Sequence, residues 1–272
     1  MADPAQYTHV NQPPPPASAQ FDPRSFYISA ASKSDIHASP LPKPRHVFTA
    51  PVSYHPPLAL SAFRRARISL VYTPTQQYDH AGLVMVLSGA QDGGSSSSSS
   101  SGENEQQQQG RQHGSSPPAD AKHVDRSTSW IKAGLEAKDG AVYLSVVVRA
   151  PGGAWCDWSL HVLRPSAAGD APFSSSNSGQ LGFEVGAAVE LVRKGNALLV
   201  HYIDEAGQPV LLRKVPWVFL DGEERVLPEN AGGRAGGPVA WVGAFAARPD
   251  PEGRAADDAL LVGFRDFEVE AV

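Results

Sequence analysis

Eleven short runs in which apolar side chains recur at every second position constrain this chain more than any other feature. They are Phe26 to Ala30, Arg67 to Tyr72, Ala81 to Leu87, Trp130 to Glu136, Val142 to Arg149, Trp155 to Val162, Ala188 to Arg193, Ala197 to Ile203, Val210 to Val215, Val239 to Ala246 and Leu260 to Val269. A period of two is the repeat of a strand with one face in a core. Turn signals stand between the runs at hairpin spacing: Asp139-Gly140, Lys194-Gly195-Asn196 and Asp204-Glu205-Ala206-Gly207. No helical repeat intervenes, so the pattern predicts an all-β antiparallel sandwich of two sheets and excludes βαβ units. With 272 residues, 41% of them hydrophobic, the chain can bury a sizeable core, while 25 Gly, 24 Pro and 19% charged residues argue against a helical bundle.

Two stretches lack this pattern. Residues 1–20 contain Pro13 to Pro16 and little that packs, and are expected to be a disordered N-terminal tail. From Gly89 to Arg126 the chain carries seven serines, Ser95 to Ser101, then Gln106 to Gln109. This low-complexity segment, 89–126, lies between two strongly patterned strands. It reads as an insertion loop within one sandwich domain spanning 21–272, since neither half alone would own a complete sheet.

A net charge of −5 offers no broad cationic field, which removes nucleic acid and membrane surfaces as expected partners. No apolar run approaches the ~20 residues of a bilayer-spanning helix. The lone Cys156 excludes an intramolecular disulfide or a Cys-clustered metal site and fits a reducing compartment. The nine histidines form no His-x-His or His-x-x-x-His pair, so neither a metal nor a cofactor is expected. The first residues lack a basic start followed by an apolar stretch, and the expected location is cytoplasmic.

Alternation in three successive runs predicts one chemically distinctive surface. Ile131, Ala133 and Leu135 share one face, and Trp130, Lys132, Gly134 and Glu136 the other. The Asp139-Gly140 turn folds the next run alongside, adding Tyr143, Ser145, Val147 and Arg149 to that second face. In the third run, Trp158, Leu160 and Val162 are assigned to the core, and Asp157, Ser159 and His161 to the polar side. Asp79 and His80 are expected at the rim of the same groove, although Asp79 equally suits a loop terminator bonding backbone N–H groups. An aromatic plate, Trp130, beside Lys132, Glu136, Ser145, Arg149, Asp157 and Ser159 suits a polyhydroxylated ligand, whose C–H faces stack on a ring while its hydroxyls bond to charged partners. The same row also suits the wetted outer face of a sandwich.

Tyr78-Asp79-His80-Ala81-Gly82-Leu83, Trp130-Ile131-Lys132-Ala133-Gly134-Leu135-Glu136, Leu144-Ser145-Val146-Val147-Val148 and Asp157-Trp158-Ser159 occur in that order. Together with Ser32-Lys33-Ser34-Asp35-Ile36, Leu60 to Arg67, Val215-Pro216-Trp217-Val218-Phe219 and Gly263 to Val269, they resemble the hallmark segments of one family. It is the concanavalin A-like family of unknown function that includes the yeast regulator of enolase. The resemblance covers nearly everything after Phe21 and departs in two loops: the Ser/Gln-rich insertion, and Ala150-Pro151-Gly152-Gly153-Ala154. It implies a two-sheet jelly roll within a superfamily of lectins and glucanases, a cytoplasmic location, and a glycolytic enzyme as a partner by analogy. It does not imply an enzyme.

Glucanases of that superfamily carry their acid and nucleophile in a Glu-x-Asp-x-x-Glu run, which is missing here. Asp266, Glu268 and Glu270 share a face of the last strand, but a charged row there also protects a sheet edge. A pairing of Glu136 with Asp157 is the remaining hydrolytic option. Lys132 and Arg149 beside them are expected to hold both carboxyls ionised, the wrong tuning for a general acid. Cys156 has no histidine placed by sequence to activate it. The expectation is therefore a non-catalytic module that binds a glycan, a sugar-like metabolite or a protein partner through the Trp130 face. A glucanase-like hydrolase is the alternative.

Overall fold

A computed structural model describes residues 6–12, 21–40, 45–88, 128–153, 155–163, 181–220, 238–249 and 258–272. Sixteen strands follow in chain order: β1 (Thr8–Val10), β2 (Ser25–Ala30), β3 (Ile36–Ser39), β4 (Arg45–Phe48), β5 (Val52–Tyr54), β6 (Leu58–Ala59), β7 (Phe63–Tyr72), β8 (His80–Ser88), β9 (Ser129–Lys138), β10 (Ala141–Arg149), β11 (Asp157–Val162), β12 (Val185–Lys194), β13 (Ala197–Ile203), β14 (Pro209–Val215), β15 (Val239–Ala247) and β16 (Leu260–Ala271). An eight-stranded sheet runs β1-β5-β15-β8-β9-β10-β11, with β6 also on β15, and a six-stranded sheet runs β14-β13-β12-β7-β16-β2. All named strand pairs are antiparallel, and the two sheets face each other across a core that includes Ile68, Leu70, Leu83, Met85, Ile131, Leu135, Val189 and Phe264. The chain is thus the all-β two-sheet sandwich that its alternation predicts, and each of the eleven patterned runs contributes a strand.

The Asp139-Gly140 turn between β9 and β10 has φ of 50° and 78°. Positive φ at both central residues matches the right-handed twist of the flanking strands, which is why Asp-Gly closes this hairpin.

A third layer lies outside the larger sheet. β3 and β4 form a two-stranded ribbon, and Ile36, Ala38 and Phe48 from it pack on Val84, Val86, Trp130, Val147 and Trp241. The larger sheet is therefore covered on both faces: eight consecutive residues of β9, from Trp130 to Ala137, are buried. The continuous apolar run Leu83-Val84-Met85-Val86-Leu87 in β8 is the sequence counterpart of this double burial.

The N-terminal expectation needs correction. β1 pairs with β5 through Thr8↔Tyr54, His9↔Ser53 and Val10↔Val52, and Tyr7 packs against Phe21 and Phe267. Three residues beside a proline run are too few to show a period, so tertiary pairing decides their structure. The 89–126 segment lies outside the described residues.

Candidate functional site

Where the ribbon stops covering the sheet, a cleft of about 400 Å³ remains between β3 and the outer face of β8, β9, β10 and β11. Its chemistry comes chiefly from Asp35, His37, Tyr78, His80, Lys132, Glu136 and Trp158, with Cys156 at one wall.

Register brings the polar groups together. His80 on β8 stands directly opposite Glu136 on β9, and Gly82 opposite Gly134. A Cβ on Gly134 would lie 1.9 Å from the Ala81 carbonyl oxygen, and one on Gly82 would lie 2.0 Å from that of Ala133. The two backbones approach so closely that only glycine fits at either position, and the floor beside His80 and Lys132 is left without side chains.

Tyr78 adopts φ of 65°, a conformation bulky residues avoid. Its N–H is held by the Ala137 carbonyl at 2.8 Å, its ring meets Trp158 edge-on with centroids 6.1 Å apart, and its carbonyl accepts from His80 Nδ1 at 2.8 Å. A carbonyl cannot donate, so Nδ1 carries the proton and Nε2 is an acceptor. Lys132 Nζ donates to that Nε2 at 2.9 Å. Burial, and then the Lys132 charge, hold the His80 imidazole below its ordinary pKa, so it is neutral at pH 7. Asp35 Oδ1 stands 3.7 Å from the same nitrogen.

Glu136 is buried on the other side. Its Oε2 accepts from Ser145 Oγ at 2.5 Å and from Trp158 Nε1 at 3.2 Å, and the indole also donates to Ser145 Oγ at 3.2 Å. Carboxylate, hydroxyl and indole thus fix one another. Cys156 Sγ donates to the Ala38 carbonyl at 3.1 Å, tying the ribbon to the start of β11. Burial pushes the Cys156 thiol up, which makes it a poor nucleophile at neutral pH.

Lys132, Glu136 and Ser145 are brought together on the face where sequence alternation places them, and His80, expected at the rim, stands beside Glu136 on that face. The other expected members are not at the cleft. Trp130 belongs to that face but is only 1% exposed, sealed in the second core under the ribbon. Arg149, opposite Trp130 in register, is also buried and donates to the carbonyls of Gly153 and Thr128.

In β11 the assignment of faces is reversed. Trp158 pairs with Val147 and so joins the cleft face, whereas Asp157, Ser159 and His161 pair with Val148, Val146 and Leu144 and face the other sheet. At this edge the space between sheets is open to water, so a polar row is tolerated on the inward side. Asp157, with its side chain 70% exposed, is ion-paired to Arg213 of β14, which also reaches Ser159 Oγ at 3.3 Å. Glu136 and Asp157 therefore lie on opposite faces, and the carboxylate pair considered for hydrolysis is not formed.

Asp79 points away from the cleft. Its carboxylate is wholly buried, accepts from the backbone N–H groups of Thr75 and Gln76 at 2.9 and 3.0 Å, and receives Arg248 Nε and Nη2, each at 2.9 Å. It is a structural clamp on the loop before β8. The contributions of Asp35, His37, Tyr78 and Trp158 escape sequence reasoning because three sit on connections or the short ribbon, and Trp158 carries an alternation that fits either face.

Sheet order, covered faces and cleft together define an all-β protein built as a two-sheet antiparallel sandwich. The chain belongs to the DUF1349 family, described as proteins of unknown function, whose pattern matches residues 14–271. An uncharacterized protein of Emericella nidulans is 27% identical over 248 residues, covering 91% of this chain and 87% of that protein. A functionally unknown protein from Saccharomyces cerevisiae has a crystal structure similar to this one with a TM-score of 0.58 and 17% identity, over 100% of this chain and 99% of that one.

Proposed function

We propose that this chain is a non-catalytic binding protein whose cleft takes a saccharide or a sugar-like metabolite. One observation carries the reading: a half-exposed indole, Trp158, forms a wall beside a buried ammonium, Lys132, and a buried carboxylate, Glu136, in a space of about 400 Å³. Clefts of that size hold small organic ligands, and a few convergent polar groups among apolar walls fix orientation. The ring supplies a face for sugar C–H groups, and the charged pair supplies directional hydrogen bonds.

Binding is favoured over hydrolysis because Glu136 Oε2 is already engaged by Ser145 and Trp158, and its partner in the hydrolytic option, Asp157, lies on the opposite face of the sheet. The test is a fluorescence titration of the full chain with neutral monosaccharides and disaccharides, in parallel with a reducing-end assay. A saturable indole signal that is lost in Trp158→Phe, with no new reducing ends, supports the reading. Turnover abolished by Glu136→Gln overturns it in favour of a glycoside hydrolase.

A further inference from the structure

At its inner end the cleft adjoins a recess of about 10 Å³ walled by His80, Lys132, Gly134, Glu136, Ser145 and Phe245. That volume accommodates one water-sized oxygen. The recess exists because Gly134 has no side chain and Ser145, directly opposite it in register, contributes only a hydroxyl.

The two charged walls have hydrogen-bonding capacity left over. The Lys132 ammonium has three N–H groups, of which one goes to His80 Nε2, and it makes no ion pair among the described residues. Glu136 takes both of its hydrogen bonds on Oε2, and Oε1 accepts none among the described residues. These side chains belong to residues only 5% and 6% exposed. A cation and an anion that line one space without bonding each other leave a donor and an acceptor to which an entering polar group can bond.

Resting on the saccharide reading of the same cleft, we infer that the recess receives a ligand hydroxyl that donates to Glu136 Oε1 and accepts from Lys132 Nζ. The cleft therefore selects neutral sugars over their acidic counterparts. A hydroxyl is the one common sugar group that donates and accepts through a single oxygen. A carboxylate or phosphate has no proton for Glu136 at neutral pH, exceeds the recess, and brings negative charge towards Glu136 and Asp35. His37 and His80 offer no compensating charge, since burial keeps both imidazoles neutral. A deoxy sugar leaves both walls unpaired, and sites built to bond a hydroxyl reject analogues that lack it strongly.

The test is calorimetric titration of the full chain with glucose, galactose and mannose, with glucuronate and galacturonate, and with the monodeoxy series of whichever neutral sugar binds. The expected result is that the neutral sugar binds at least about tenfold more tightly than its uronate, and that one deoxy position loses at least about tenfold. Glu136→Gln should narrow the neutral-to-acidic ratio, and Ser145→Thr, which adds a methyl to the recess, should weaken the neutral sugar. Uronates binding as tightly as neutral sugars, or a deoxy series without a sensitive position, overturns the inference and leaves saccharide binding intact. Absence of heat with every sugar in both classes overturns the saccharide reading itself.

Discussion

Replacing Trp130 and Trp158 by alanine, one at a time, separates the two tryptophans that alternation places on opposite faces and the structure places on one. Trp130 is 1% exposed and packs among Phe48, Val86, Val147 and Trp241, so Trp130→Ala empties the centre of the second core. Truncating a fully buried tryptophan costs on the order of 3–5 kcal/mol. In a domain of this size each kcal/mol lowers Tm by roughly 2–4 °C, which gives a fall of roughly 6–20 °C. Trp158 is 40% exposed, and its loss forfeits an edge-on contact with Tyr78 and a hydrogen bond to Glu136. That amounts to about 1–2 kcal/mol. Urea unfolding followed by far-ultraviolet circular dichroism reads both. Equal losses, or a larger loss for Trp158→Ala, would show that the ribbon does not seal the outer face and would remove the walls of the cleft.

Asp79→Ala removes the buried one of the two carboxylates paired with Arg248, leaving Asp258, and also unpairs the Thr75 and Gln76 N–H groups, so it is expected to cost about 3–5 kcal/mol in the same assay; a change near zero would mean the clamp is not closed in solution. Asp157→Ala is expected to cost less than about 1 kcal/mol, because the carboxylate is largely exposed and its pair with Arg213 is screened. Gly134→Ala should fail to yield cooperatively folded protein, since its Cβ would meet the Ala81 carbonyl oxygen at 1.9 Å; a stable, cooperatively unfolding variant refutes the close approach of β8 and β9. The pKa values of His37 and His80 are lowered by burial, so the folded chain holds them neutral while unfolded imidazoles protonate near 6.5. Stability should be complete above that value and decline as pH falls from about 6.5 towards 5, the unfolded chain binding more protons. A Tm that rises on mild acidification contradicts this.

Much of the fold is legible in the sequence because it rests on local signals. Period-two alternation marks the eleven longer strands, and Asp139-Gly140 fixes the register that sets Ser145 opposite Gly134 and Val147 opposite Lys132. The expected cluster of Lys132, Glu136 and Ser145 follows directly from that hairpin. The illegible elements are those decided by distant contacts. The ribbon strands have four residues each, too few to show a period, yet they convert an apparent outer face into a second core and bury Trp130. In β11, Trp158, Leu160 and Val162 are apolar, but the strand is at a sheet edge, where residues on either side reach water, so the apolar row does not reveal which side is inward. One residue of slip exchanges Trp158 with Asp157. Asp35 and His37 reach the cleft through long-range contacts of the ribbon: its packing on Val84, Val86 and Trp130, and the bond from Cys156 to the Ala38 carbonyl across more than a hundred residues of chain.

The decisive measurement is the intrinsic-fluorescence titration of wild type and Trp158→Phe with the same neutral sugars. A saturable change in the wild type that disappears in the variant is the predicted result. A change of equal size in both, or sugar turnover in place of binding, would contradict a binding site walled by Trp158 and anchored on Lys132 and Glu136.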